Sequence, residues 1–151
     1  MKTEIPIYTE TRMATPEDIP AILALRKEYL GELPWYISEV EEHDLSSKSH
    51  LVAVVSANGD VVASGRLDRE EYAHKITRVV TTSSMQGIGL GKKVLNTLIE
   101  LAQVNESKEI KLKARLDAKS FYEKFGFLAV SPIYSEHGFS YVDMVKTLNK
   151  S

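Results

Sequence analysis

Apolar positions along the chain switch between a spacing of two and a spacing of three to four, and the switches mark out strands and helices. Residues 5–13 alternate loosely and predict a first strand. Thr15-Pro16-Glu17-Asp18 predicts a helix start: threonine caps, proline suits the first turn, and the acids favour the positive end of the helix dipole. Ile19, Ile22, Leu23, Tyr29 and Leu30 then share one helical face. Residues 31–35 break the pattern, and the acidic stretch 38–45 predicts a second helix.

Valine-rich residues 50–56 and residues 61–67 predict two strands joined by a two-residue hairpin at Asn58-Gly59, both of which tolerate positive φ. A further strand is predicted over 75–82, where Val79, Val80 and Thr81 are all β-branched. Val94, Leu95, Leu98, Leu101 and Ala102 mark a helix ending near Gln103. Ile110, Leu112 and Ala114 alternate as a strand, 118–125 predicts a short helix, and 128–133 and 139–148 predict the last two strands. The expected fold is a mixed α/β sheet, about seven strands with about four helices, with antiparallel hairpins and one parallel crossover. No linker, repeat or low-complexity tract divides the 151 residues, so one domain over 1–151 is expected.

Composition narrows the chemistry. With 19 Lys+Arg against 21 Asp+Glu, a net charge of −2 supplies no blanket attraction to nucleic acid or an anionic membrane. The absence of cysteine excludes disulfides, cysteine-ligated zinc and a thiol nucleophile. Neither a signal peptide nor an 18-residue apolar run is visible, which points to the cytoplasm. The histidines at 43, 50, 74 and 137 lack metal-ligand spacing, and neither H-E-x-x-H nor G-x-S-x-G occurs. No metal is expected.

The most informative stretch is Met85-Gln86-Gly87-Ile88-Gly89-Leu90-Gly91-Lys92-Lys93, between a predicted strand and a predicted helix. Its glycines let backbone approach a bulky group, and helix-start N–H groups attract an anion. Lys92 and Lys93 oppose the helix dipole by about 0.3–1 kcal/mol each, a cost that a bound phosphate reverses. A Walker A loop is excluded twice, by Gln86 in place of the first glycine and Lys93 in place of the magnesium-binding hydroxyl. The run G-x-G-x-G also misses the dinucleotide fingerprint G-x-G-x-x-G. A ligand-free strand-to-helix turn would use the same glycines.

Gln86-x-x-Gly89-x-Gly91 resembles the acyl-coenzyme A loop of the GNAT (GCN5-related N-acetyltransferase) family. Ala118-x-x-Phe121-Tyr122-Glu123-Lys124-Phe125-Gly126-Phe127 resembles the segment that follows that family's fifth strand, and Arg12-x-Ala14-Thr15-x-x-Asp18 its first strand and helix start. Phe125-Gly126-Phe127, Tyr134-x-Glu136-x-Gly138 and Met144 are similar to the ElaA-like branch, although Tyr141 stands where that branch tends to have a histidine.

The resemblance implies an N-acetyltransferase that moves the acetyl group of acetyl-CoA to a primary amine by direct attack in a ternary complex. It puts the pantetheine arm in a gap between the fourth and fifth strands, paired with the backbone of Val79, Val80 and Thr81. It puts the pyrophosphate on the amides of Gln86, Gly87, Ile88, Gly89, Leu90, Gly91 and Lys92. Ser120 and Lys119 fall near the distal part of the cofactor. Tyr122 matches the family's proton donor to the departing thiolate: a phenol of pKa about 10 stays protonated at neutral pH, and the thiol formed has a pKa of about 8.5. The bland alternatives are a packing role for Tyr122 and plain core strand for Val79–Thr81.

No base stands out. Asp68, Glu70, Glu71 and His74 cluster between the third and fourth predicted strands, and Glu136 and His137 are further candidates. Arg78 faces either solvent or the cleft. Residues 31–43 are placed by analogy over the acceptor, with Trp35 and Tyr36 lining it and Glu39, Glu41 and Glu42 favouring a cationic amine; an ordinary amphipathic surface helix is the stronger reading of the same residues. The acceptor, a small amine or a peptide or protein amine, is not legible, and homodimers are common in the family. The alternative class is a non-catalytic acyl-CoA-binding or sensing module.

Overall fold

The computed structural model describes residues 8–31, 33, 36, 39–82 and 89–148. Its frame is an eight-stranded sheet ordered β1-β2-β3-β4-β5-β8-β6, with β7 also on β8. The strands are β1 (Thr9–Met13), β2 (Ser49–Ser56), β3 (Val61–Arg69), β4 (His74–Thr81), β5 (Glu109–Arg115), β6 (Leu128–Ala129), β7 (Tyr134–Glu136) and β8 (Phe139–Thr147). Three α-helices are described, α1 (Ile19–Leu30), α2 (Leu90–Val104) and α3 (Lys119–Glu123). Every pairing is antiparallel except β4 with β5.

One face of the sheet is dry. Val52, Leu67, Ile76, Ile110, Leu112, Val142 and Met144 meet Val94, Leu95, Leu98 and Ala102 of α2, with Phe121, Tyr122 and Phe125 of the α3 region at its margin. Gly65 permits this contact: a Cβ there would lie 2.6 Å from a Val94 methyl. The other face carries a smaller apolar group, Ile22, Leu51 and Ala53, under α1.

Between β2 and β3 the sequence predicts a two-residue turn. Of the four residues between the strands, Ala57, Asn58 and Gly59 form a three-residue loop inside the Ser56–Asp60 pair, closed by the Gly59 N–H on the Ser56 carbonyl at 2.9 Å and the Ser56 N–H on that of Asp60 at 2.8 Å. Gly59 takes φ +93°, and a register shift beside Val54 and Val55 absorbs the odd residue. The helix predicted over 38–45 is, in its described part, only a 3₁₀ turn at Glu42–Leu45. The strand predicted over 128–133 shrinks to Leu128–Ala129, and Tyr134–Glu136 forms a separate strand that hairpins onto β8. His137 and Gly138 both adopt positive φ in that hairpin, as a tight primed turn requires.

Candidate active site

The parallel pairing of β4 and β5 is confined to two rungs, His74 with Ile110 and Lys75 with Lys111. Both strands continue beyond, β4 to Thr81 and β5 to Arg115, so they diverge and open a gap. Opposite β3 the register slips as well: Ser64 pairs with Val80 but Arg66 with Thr77. Arg78 and Val79 therefore share one space in the ladder, and Arg78 takes φ +57°. This bulge keeps the side chains of Thr77 and Arg78 on the α1 side of the sheet. Val79 is left to pack against the α2 core.

A cleft of about 570 Å³ occupies the gap, lined on its β4 wall by Lys75, Thr77, Arg78 and Val79 and elsewhere by Leu112, Lys113, Arg115, Tyr122, Glu136 and Tyr141. A wider groove of about 930 Å³ lies between α1 and the β2–β3 hairpin, but none of the predicted catalytic groups lines it. Burial pushes the Tyr122 phenol above its ordinary pKa, so it holds its proton across the neutral range. Its ring stands edge-on to Phe121 at 5.3 Å and to Phe127 at 6.0 Å, so packing and cleft-lining roles coexist.

Of the expected cofactor contacts, Gln86, Gly87 and Ile88 lie outside the described residues. Gly89 is the N-cap of α2 with φ +86°, and Leu90, Gly91 and Lys92 form the first turn, where helix geometry leaves N–H groups without intrahelical partners. A Cβ on Gly91 would sit 3.5 Å from Phe121, so alanine fits there and a longer side chain crowds the α3 ring. Lys93 is tied to the Thr9 hydroxyl. Val80 is buried, Val79 and Thr81 are half-buried along the gap, and Ser120 is exposed on α3.

The α1 side of the cleft rests on buried charge. Arg26, fully buried, donates two hydrogen bonds to Asp44 at 2.7 and 2.8 Å. Arg66 joins the same carboxylate at 2.7 Å and also grips Asp68. Burial raises the Asp44 pKa, but Arg26, the Glu41 amide and Arg66 outweigh it and hold the carboxyl well below its usual range. At the rim Glu41 accepts two hydrogen bonds of 2.9 Å from Arg78 and one of 3.1 Å from Arg66.

This network disposes of several sequence-based candidates. Asp68 is spent on Arg66 and Ser49, and Glu70 on Lys111 at 2.9 Å, while Glu71 is exposed. His74 is buried on the α2 side, and neither ring nitrogen has a hydrogen-bond partner among the described residues. None of the four lines the cleft, which agrees with reading this stretch as a solvated loop better than with a base there. Glu41 is committed to arginines rather than open to an amine. Trp35 lies outside the described residues. Glu136 does reach the cleft, as does Arg78, whose orientation the sequence left open. Missed in the sequence were Arg26, Asp44, Arg66 and Lys113. A lysine on the exposed phase of a strand and an arginine inside a helix carry no local signal of such partners.

A family model described as an acetyltransferase (GNAT) domain matches residues 25–148. A Streptococcus pyogenes protein described as an uncharacterised acetyltransferase is 29% identical over 112 residues, 73% of this chain and 77% of that protein. Among solved structures, Escherichia coli ElaA superposes with a TM-score of 0.79 at 20% identity, covering 93% of this chain and 99% of ElaA. A Pseudomonas aeruginosa acyl-CoA N-acyltransferase gives 0.79 at 24%, covering 94% and 100%. At these identities the structural likeness is one of fold, and the family match carries the assignment. The chain belongs to the GNAT acetyltransferase family, the acyl-CoA-dependent N-acetyltransferases.

Proposed function

We propose that the protein transfers the acetyl group of acetyl-CoA to a primary amine by direct attack within a ternary complex. The observation that carries this reading is the divergence of β4 from β5 after Lys75 and Lys111, with Tyr122 on the resulting cleft. A pantetheine arm laid in the gap would add a short strand, its amides pairing with the backbone of Val79, Val80 and Thr81. The amides of residues 86–92 would take the pyrophosphate at the head of α2, and Ser120 the distal part of the cofactor.

Two of the chemical steps, attack on the carbonyl and departure of the thiolate, have a group to serve them. A backbone N–H at the β4 bulge would stabilise the oxyanion that develops as the amine attacks the thioester carbonyl. The nitrogen–carbon bond forms, the carbon–sulfur bond breaks, and Tyr122 gives its proton to the departing thiolate. Alkyl ammonium groups, with a pKa of about 10.4, must lose a proton first. We infer one domain over residues 1–151 that works in the cytoplasm; sedimentation distinguishes a monomer from the homodimer common in the family.

Calorimetric titration with acetyl-CoA, CoA and Mg-ATP tests the cofactor. Micromolar binding of the CoA species alone, abolished in Gly91→Leu, is expected. Preference for ATP, or no binding of CoA, would overturn the reading. Tight CoA binding without transfer to any amine would instead favour a non-catalytic sensing module.

A further inference from the structure

The two walls of the cleft differ in charge. The β4 wall presents Lys75 and Arg78, and Arg78 is engaged by Glu41. On the opposite wall the ammonium of Lys113 is surrounded by groups that recognise ammonium. It pairs with the Glu136 carboxylate, lies 4.3 Å from the centroid of the Tyr141 ring and 5.9 Å from that of Tyr134. Asp143 is directly opposite Lys113 in the β5–β8 register, and its carboxylate accepts a hydrogen bond of 2.5 Å from the Tyr134 hydroxyl. The adjacent cation, Arg115, is paired with Asp117 at 3.0 Å and stacked 4.5 Å over Phe139.

One carboxylate and two π faces thus contact a single ammonium, and Asp143 holds the hydroxyl of one of those rings. With Lys113 turned away, Glu136 keeps a formal charge of −1 there, and aromatic faces add attraction for a desolvated cation. None of this is explained by the cofactor, whose pantetheine arm is neutral and whose phosphates belong at the head of α2. Lys113 is also long and only partly buried, so its ammonium can leave by rotation of its own side chain into water.

We propose that Glu136, Tyr134 and Tyr141 form the subsite for the terminal ammonium of an unbranched alkylammonium acceptor, a place the chain fills with its own Lys113. The proposal rests on the acetyl-transfer reading and adds the acceptor class to it. Both a free diamine and a lysine side chain carry this chemistry. An α-amino group beside a carbonyl, or an amine close to a carboxylate, fits it poorly.

The test measures binding to the CoA-saturated protein, and kcat/KM with acetyl-CoA, for 1,5-diaminopentane, Nα-acetyl-lysine amide, glycinamide and β-alanine. At least one of the first two is expected to bind about tenfold more tightly than the last two, and which one does names the source. Glu136→Gln and Tyr141→Leu should each weaken that ligand several-fold while CoA affinity, which reports folding, is kept. Lys113→Met should tighten it. Equal affinity for all four amines, or weaker alkylammonium binding in Lys113→Met, would overturn the subsite. Selective binding with no acetylation of any amine would leave the subsite standing and overturn the acetyl-transfer reading instead.

Discussion

The two faces of this sheet are built by different physics. Under α2 the contact is hydrocarbon on hydrocarbon, closed by a glycine, and the side chains that meet there repeat with the periods of strand and helix. Under α1 and the 3₁₀ turn that follows, a chain of charges runs from Arg26 through Asp44 and Arg66 to Asp68, with Glu41 and Arg78 at its rim. The dry face fixes α2 from its first turn, with Leu90 and Val94 buried against the sheet. The charged face ties residues 41–45, through long-range pairs, to the strand that bulges into the cleft.

Removing one partner from the charged face should do the most damage. Asp44→Ala leaves two buried arginine cations and is expected to cost about 3–5 kcal/mol, read from the urea midpoint. On the dry face Gly65→Ala forces a methyl within 2.6 Å of Val94 and should cost about 1–3 kcal/mol. If the two costs came out in the opposite order, the charged face would be ornament rather than support.

Glu41→Gln weakens only a half-exposed clamp, about 1 kcal/mol of stability. It should still lower kcat/KM with acetyl-CoA, because the Arg78 that Glu41 holds stands on the cleft wall. The smallest effect concerns His74. Burial, then the charges of His50 and Arg69, lower its pKa in the folded state. The unfolded chain, with a histidine pKa of about 6.5, therefore takes up a proton that the folded chain resists. This contribution is present above pH 6.5 and is lost as pH falls below it. Unfolding at pH 7.5 and 5.5 should show the drop, and His74→Phe should flatten it.

Legibility in the sequence followed the same division. The alternation of Ile110, Leu112 and Ala114 and the helical spacing from Val94 to Ala102 report burial locally, so the elements of the dry face could be read. Gly89 and Gly91 stood out as part of a glycine-rich loop; the structure gives Gly89 a separate local reason, the positive φ of a helix cap. The charged face was not, because partners such as Arg26 with Asp44 are 18 positions apart and fit no helical or strand period. The register slip at Arg78 has no sequence mark either: arginine is an unusual choice at positive φ, held there by Glu41 from a distant turn. His74 read as a candidate base only because it sits near acids in sequence, and one face of a strand separates it from them.

The most direct measurement follows CoA release with a thiol-reactive dye, for the wild-type protein and Tyr122→Phe. The chain has no cysteine, so the signal comes only from the product. With an amine that the wild type acetylates, Tyr122→Phe is expected to lower kcat by about 10²–10⁴-fold while CoA affinity stays within about twofold. Equal turnover by the two proteins would contradict it.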